Sequence, residues 1–313
     1  MSLDRALALV EKAPRSGYPN PTVGAVFVSP DGVVVGEGVS EPAGGRHAEI
    51  VALDEAAERA YGATLYVTME PCAHHGRTPP CVDRVLAAGV ARVVAGAADP
   101  SERGGGGAER LRAEGVDVEV LDLDRARRQN EAWRTWVVNR RPYVTLKLAV
   151  SLDGRVVVPG RRWVTGEASR AAVHELRALV DAVGVGMGTV RADAPRLDAR
   201  GLTGAHQPRR LAFGRGPLPD TSELELRTGS LDDELAALAA EGVQSLLLEG
   251  GPTVGTSFLE RRLVDRLLVF VAPVLAGGGP PMLGALSKPI ELGGLEVERF
   301  GEDVLLGARL QEV

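Results

Sequence analysis

Apolar positions along the chain change period repeatedly, from the two-residue alternation of strands to the three-to-four spacing of helices. After a first short helix, Val23 to Ser29 and Val33 to Glu37 are β-branched runs separated by Pro30-Asp31-Gly32, turn chemistry that predicts a hairpin. Ala48 to Ala60 places Ile50, Leu53, Ala57 and Ala60 at helical spacing. The pattern then predicts a strand over Thr64 to Met69, a helix over Val82 to Ala88 closed by Gly89, and strands at Val90 to Ala95 and Val118 to Leu121. A helix from about Asp124 to Val138 ends this half, and the Gly104 to Gly107 run reads as a mobile surface loop.

Charge and proline at Asn139-Arg140-Arg141-Pro142 mark a boundary between domains of residues 1–141 and 142–313. The alternation resumes with a strand at Tyr143 to Val150 and a helix around Glu167 to Val180. Further strands are predicted at Asp181 to Val185, Arg210 to Phe213, Val243 to Leu248 and Leu267 to Val271, with glycine-rich loops between. Alternation of this kind implies α/β layers with helices covering each sheet.

Length and charge narrow the function. A chain of 313 residues, 44% hydrophobic, has enough apolar surface for two cores. A net charge of −6 without a basic stripe, and only 4% aromatic residues, argue against a nucleic-acid partner and so against a nucleic-acid base deaminase. The first twelve residues carry charges and no apolar core of a signal peptide, and no stretch reaches the length a bilayer demands, so a cytoplasmic enzyme without membrane contact is expected. The two cysteines, Cys72 and Cys81, suit metal ligation better than a disulfide framework.

His47-Ala48-Glu49 stands at a predicted helix start, Pro71-Cys72 at a strand end, and Pro79-Pro80-Cys81 at a second helix start. A helix N-terminus lowers a thiol pKa and favours the thiolate that zinc needs. One imidazole and two thiolates leave a fourth coordination position open to water, and Glu49 lies close enough to carry its proton to a departing amine. Alone, a His-x-Glu is an ordinary helix start and two cysteines are ordinary small core residues; their order in one alternating domain points to zinc. A closed structural site, completed by His74 or His75, is the non-enzymatic alternative. In the second half, Leu246-Leu247-Leu248 leads through Glu249-Gly250-Gly251-Pro252-Thr253 into a helix, a turn that allows close backbone approach and phosphate binding.

The string Glu70-Pro71-Cys72-Ala73-His74-His75-Gly76-Arg77-Thr78-Pro79-Pro80-Cys81 resembles the bifunctional diaminohydroxyphosphoribosylaminopyrimidine deaminase and 5-amino-6-(5-phosphoribosylamino)uracil reductase family of riboflavin synthesis. Pro19-Asn20-Pro21-Thr22-Val23-Gly24, Asp99-Pro100, the segment from Leu146 to Gly154 and that from Leu248 to Thr253 are similar to it as well. The resemblance implies an α/β fold: a cytidine-deaminase-like three-layer domain followed by a dihydrofolate-reductase-like domain.

It also implies zinc on His47, Cys72 and Cys81, with Glu49 as the catalytic proton shuttle. Substrate contacts would fall at Asn20, His74, Arg77 and Asp99, and in the second half at Lys147, Thr165, Arg177, Leu197, Arg200 and Glu249. NADPH contacts would fall at Ala149, Trp163, Thr189, Asp193, Gly251, Pro252, Thr253, Val254, Gly255, Thr256 and Ser257. Arg177 and Arg200 suit a phosphate, because guanidinium binds it in two-pronged fashion. The implied partner is a small pyrimidine ribotide, deaminated and then reduced at its ribose, in a homo-oligomer (dimer or tetramer); an active deaminase with an impaired reductase is the alternative. Ser40 stands where that family usually has histidine, and Phe213-Gly214-Arg215-Gly216 lacks its usual acidic turn.

Overall fold

Helix α1 (Ser2–Lys12) buries Leu3, Ala6, Leu7 and Val10, one apolar stripe at i, i+3, i+4 and i+7. The computed structural model describes residues 2–76, 79–201 and 206–311, so Arg77 lies outside the described residues. Contacts divide the chain into two compact units, one ending at Asn139 and the next beginning at Arg140.

In the first unit β1 (Gly24–Val28), β2 (Val34–Val39), α2 (Ala48–Ala56), β3 (Thr64–Val67), α3 (Cys81–Ala87), β4 (Arg92–Ala95), α4 (Gly107–Ala113), β5 (Asp117–Val120), α5 (Asp124–Arg128) and α6 (Glu131–Asn139) follow in order. The described strands form one sheet, β2-β1-β3-β4-β5, with β1 antiparallel to both neighbours and β3, β4 and β5 parallel. Strand alternation sends Ala25 and Phe27 to one face, under α2, α3 and α4, and Val26 to the other, under α1 and α5. The expected hairpin and three-layer arrangement are both present.

Helix α2 lies with its backbone directly on β2. A Cβ at Gly36 would fall 2.1 Å from the Ala52 carbonyl oxygen, and one at Gly38 would fall 2.4 Å from that of Ala48. Ala48, Ala52 and Ala56, all fully buried, form the matching face of the helix. This approach sets the height of the α2 N-terminus above the sheet.

Two expectations fail here for visible reasons. The helix expected over Asp124 to Val138 is two helices, because the Asn130 side chain accepts from Thr22 N (2.8 Å) and donates to Thr22 O (2.9 Å), while its own carbonyl starts α6. The glycine run at 104–107 is not a free surface loop. A Cβ at Gly107 would meet the Pro71 carbonyl oxygen at 1.7 Å, and one at Gly104 the Asp99 carboxylate at 1.9 Å, so both glycines are packed against the loops that carry Cys72 and Asp99.

The second unit contains β6 (Tyr143–Ser151), α7 (Glu167–Leu179), β7 (Ala182–Gly186), α8 (Met187–Asp193), β8 (Arg209–Phe213), β9 (Glu225–Arg227), α9 (Leu231–Ala240), β10 (Ser245–Leu248), α10 (Pro252–Glu260), β11 (Arg266–Ala272), β12 (Gly293–Phe300) and β13 (Asp303–Arg309). Its described strands order as β12-β13-β11-β6-β10-β7-β8-β9; those from β11 to β9 are parallel, and the β12–β13 hairpin is antiparallel. On β6, Leu146, Leu148 and Val150 enter the core beneath α9 and α10, while Thr145, Lys147 and Ala149 stay half-buried on the opposite face. That opposite face is covered by α7 and α8.

The sequence reading passed over α4, α8, β9, α9 and the hairpin. Ser230, whose hydroxyl accepts from Asp233 N at 3.3 Å, was a readable start signal for α9. By contrast β12 alternates only over Leu295-Glu296-Val297-Glu298 and is exposed on both faces along almost its whole length.

Substituting Gly38→Val should destabilise the first unit by about 1–3 kcal/mol, the usual cost of overpacking. Urea unfolding would show it as a lowered midpoint; an unchanged midpoint would mean that α2 does not ride on β2 as described.

Candidate active sites

Three elements bring the deaminase residues together. His47 precedes α2 in extended conformation, with its carbonyl accepting from Ile50 and Val51, so its ring projects from the helix start. Cys72 follows β3 in a loop, and Cys81 is the first residue of α3 and is buried. His47 Nδ1 lies 3.6 Å from Cys72 Sγ and 3.2 Å from Cys81 Sγ, and all three donor atoms fall within 4.8 Å of one another. A tetrahedral zinc, with Zn–N near 2.0 Å and Zn–S near 2.3 Å, separates nitrogen and sulfur by roughly 3.5 Å. The donor set therefore fits zinc in both chemistry and spacing. Among the described residues neither His74 nor His75 joins the group.

Electrostatics favour a bound cation. The Cys81 backbone N–H donates to Cys72 Sγ at 3.4 Å, as a helix N-terminus does to a thiolate. Hydrogen bonding from Cys81, with help from His47, holds the Cys72 thiol far below the usual range, while Cys81, giving that bond and deeply buried, is pushed up. A cation bound between the two sulfurs would favour the thiolate form of both. Glu49, in the first turn of α2, is only 3% exposed, and burial pushes its carboxyl up to about 7.

The wall beside the cluster hangs from Glu70. This buried carboxylate accepts from Asp99 N and Ala108 N, both at 2.9 Å, and so ties the loop after β4 to the start of α4. Asp99 in turn accepts from Ser101 N (2.8 Å) and Ser101 Oγ (2.6 Å), and burial raises its pKa. His74 is half-buried and its Nδ1, shut off from solvent, makes no hydrogen bond among the described residues. Asn20 is exposed in the segment before β1. Ser40 is buried and bonds Val23 N at 2.9 Å, so at this position the side chain closes the β1–β2 strand ends.

In the second unit three charged groups meet. Glu249, just after β10, accepts from Arg177 Nε at 2.6 Å and Nη2 at 3.0 Å, and lies 3.9 Å from Lys147 Nζ on β6. Burial alone would push the Glu249 carboxyl up, but Lys147 and Arg177 outweigh it and hold it low; burial lowers Lys147, against the pull of Glu249. Leu197, buried with a φ of 55°, turns the chain so that the Asp198 carbonyl meets Arg177 Nη1 at 3.1 Å, and Arg200 pairs with the Asp198 carboxylate. Both prongs of Arg177 therefore serve Glu249.

Of the expected cofactor residues, Gly251 and the start of α10 follow directly on Glu249 at the end of β10. Gly251 precedes the first turn of α10, which carries Pro252, Thr253, Val254 and Gly255, with Thr256 and Ser257 after them; Gly251 faces Thr189 of α8, whose Oγ1 would lie 3.6 Å from a Cβ there. Ala149 sits two residues beyond Lys147 on the same face of β6. Trp163 is 53% exposed between the guanidinium groups of Arg162 and Arg170, and the Thr165 carbonyl accepts from Arg170. Asp193 ends α8, exposed. Sequence reasoning missed Glu70, Ser101 and Asp198; only Glu70, inside the Glu-Pro-Cys string, carried a local signal.

Residues 2–97 match the family model described as the cytidine and deoxycytidylate deaminase zinc-binding region, and residues 142–306 match the RibD C-terminal domain. Fold and sites together define a zinc-dependent deaminase joined to a reductase. The chain is 37% identical to riboflavin biosynthesis protein RibD of Aquifex aeolicus, over 96% of this chain and 95% of that protein, and 39% identical to that of Mycobacterium tuberculosis, over 97% and 96%. Among solved structures it is similar to Acinetobacter baumannii RibD, with a TM-score of 0.88 at 33% identity, and to the Thermotoga maritima deaminase/reductase, with 0.86 at 32%, each over 99% of this chain and 98% of the other. The chain belongs to the RibD family, the bifunctional deaminase/reductases of riboflavin biosynthesis. Zinc and NADPH are the cofactors of its two reactions.

Metal analysis of the purified protein should find about one zinc per chain, the content of a single three-ligand site, and Cys81→Ala should lose it. Retention of full zinc by that variant would place the metal elsewhere. Gly104→Val should raise the deaminase KM with zinc retained, by displacing the Asp99 carboxylate; an unchanged KM would remove Asp99 from the pocket.

Proposed function

We propose that residues 1–141 remove the 2-amino group of 2,5-diamino-6-(5-phosphoribosylamino)pyrimidin-4-one, and that residues 142–313 then reduce the ribosyl group of 5-amino-6-(5-phosphoribosylamino)uracil to ribityl. The observation that carries the first half is the convergence of His47, Cys72 and Cys81 beside a buried Glu49. These three side chains hold zinc, which when bound supplies Lewis acidity toward water. Glu49, raised by burial to about 7, takes up a proton from the attacking water and hands it to the departing amine. Asn20, His74, Arg77 and Asp99 hold the pyrimidine, His74 through its Nδ1, which has no partner among the described residues.

For the second half, NADPH supplies the hydride, and the protein holds sugar and nicotinamide in line and keeps water out. Lys147 and Glu249 contact the sugar. Arg177 fixes Glu249 beside it, and Arg200, with an exposed guanidinium, faces the phosphate; Thr165 and Leu197 complete that wall. Ala149, Trp163, Thr189, Asp193 and the segment from Gly251 to Ser257 hold the cofactor.

A cytoplasmic setting agrees with two free thiols and with the fact that no helix among the described residues is long and apolar enough to cross a membrane. Self-association through the reductase unit is supported by β12, an edge strand on which Leu295 and Val297 are exposed.

Glu49→Gln should lower deamination by about 10³-fold, within the range of a lost proton shuttle, while zinc content and NADPH oxidation with the pre-deaminated ribotide stay normal. Full deamination by the variant would defeat the assignment. Lys147→Met should do the converse, cutting NADPH oxidation by about 10² or more and leaving ammonia release intact; equal loss of both activities would point to misfolding or to a shared site.

A further inference from the structure

The carboxyl ends of β10, β7 and β8 open onto one edge of the second sheet, because the three are neighbouring parallel strands. Ligands of open α/β sheets lie along such an edge. The turns there touch in sequence. A Cβ at Gly186, after β7, would come 3.1 Å from Val254 of α10, and one at Gly214, after β8, would come 3.1 Å from Met187 of α8. A continuous surface therefore runs from the Gly251 turn across α8 to the turn after β8.

That surface ends on two cations. Arg191 Nη2 donates to the Arg215 carbonyl at 3.0 Å, and a Cβ at Gly216 would fall 2.8 Å from the same nitrogen, so the Arg191 guanidinium lies over this turn. Gly214 and Gly216, with φ of 128° and 114°, hold the turn in a form closed to other residues. Arginines further along β8 and β9 are neutralised: Arg209 by Glu225, Arg210 by Glu223 and Arg227 by Glu241. Among the described residues no carboxylate lies within 4.0 Å of the Arg191 or Arg215 guanidinium. Both side chains are exposed, and Arg191 keeps four of its five N–H donors after the bond to Arg215.

We propose that Arg191 and Arg215 bind the 2′-phosphate of NADPH and set this chain's preference for NADPH over NADH. The proposal rests on the NADPH reading of the second unit and adds to it the specificity-determining pair. The turn after β8 presents Gly214-Arg215-Gly216, one cation and no carboxylate of its own. Two guanidinium groups match a dianionic phosphate in charge and in bidentate geometry. The ribose separates this phosphate from the pyrophosphate. The two recognition sites must then lie side by side, as the Gly251 turn and the Arg215 turn do at a separation of two strand spacings, roughly 10 Å.

The test titrates the full-length protein with NADPH and with NADH, following nicotinamide fluorescence, and displaces the cofactor with adenosine 2′,5′-bisphosphate or with 5′-AMP. Arg191→Ala and Arg215→Ala should each weaken NADPH about tenfold, the loss of one charge-assisted phosphate contact, with NADH moved less than about twofold. Adenosine 2′,5′-bisphosphate should lose its advantage over 5′-AMP, and Arg215→Lys should fall between wild type and alanine. Circular-dichroism melting of each variant guards against a folding defect. An unchanged NADPH to NADH ratio in the double variant, with tight NADPH binding by wild type, would overturn the proposal. Failure of the wild type to bind either nucleotide would instead bring down the NADPH reading itself, and this inference with it.

Discussion

Ionisable groups buried against one another are the constraint that shapes both units. In the first, two sulfurs, an imidazole and the Glu49 carboxyl converge at the starts of α2 and α3; in the second, Glu249 is gripped between Lys147 and Arg177. A buried charge is tolerated when it is paired and hydrogen-bonded, and is costly otherwise. The surrounding fold is built to keep these pairings in place: alanine on glycine where α2 meets β2, and the left-handed Leu197 where the chain turns under Arg177.

Both units also use the same edge of the sheet. Parallel strands deliver the loops of Cys72 and Asp99 after β3 and β4, and those of Glu249 and Gly251 after β10. The strands are largely buried, as β10 is over four residues in succession, so most of the chemistry falls at their carboxyl ends, with Lys147 on β6 the exception. Asp303 on β13 shows how far this support extends: its buried carboxylate accepts from Gly166 N and Ser169 Oγ and seats the start of α7, the helix that carries Arg177.

Much of this was legible in the amino-acid order. The hairpin, α2, α7 and the central strands followed from periodicity, and the His47, Cys72 and Cys81 grouping from their places at element ends. What escaped was set by tertiary contact. Nothing local announces that Asn130 will bond the Thr22 backbone and split a helix, or that Gly104 and Gly107 will be packed against the loops of Asp99 and Cys72. Arg177 read as a phosphate clamp because its sequence neighbours do not reveal Glu249, 72 residues away, which takes both of its prongs. The exposed β12 offered no inward face for alternation to trace.

Glu70, two residues before Cys72, also constrains a segment elsewhere in the chain. One carboxylate secures Asp99 and Ala108 together, the two ends of the segment between them. Side chains inside that bracket, such as Glu102 and Arg103, are free to drift over generations, whereas inserting or deleting a residue there would pull one of two amides off its shared acceptor. Variation in this stretch is thereby channelled into residue type and kept out of loop length.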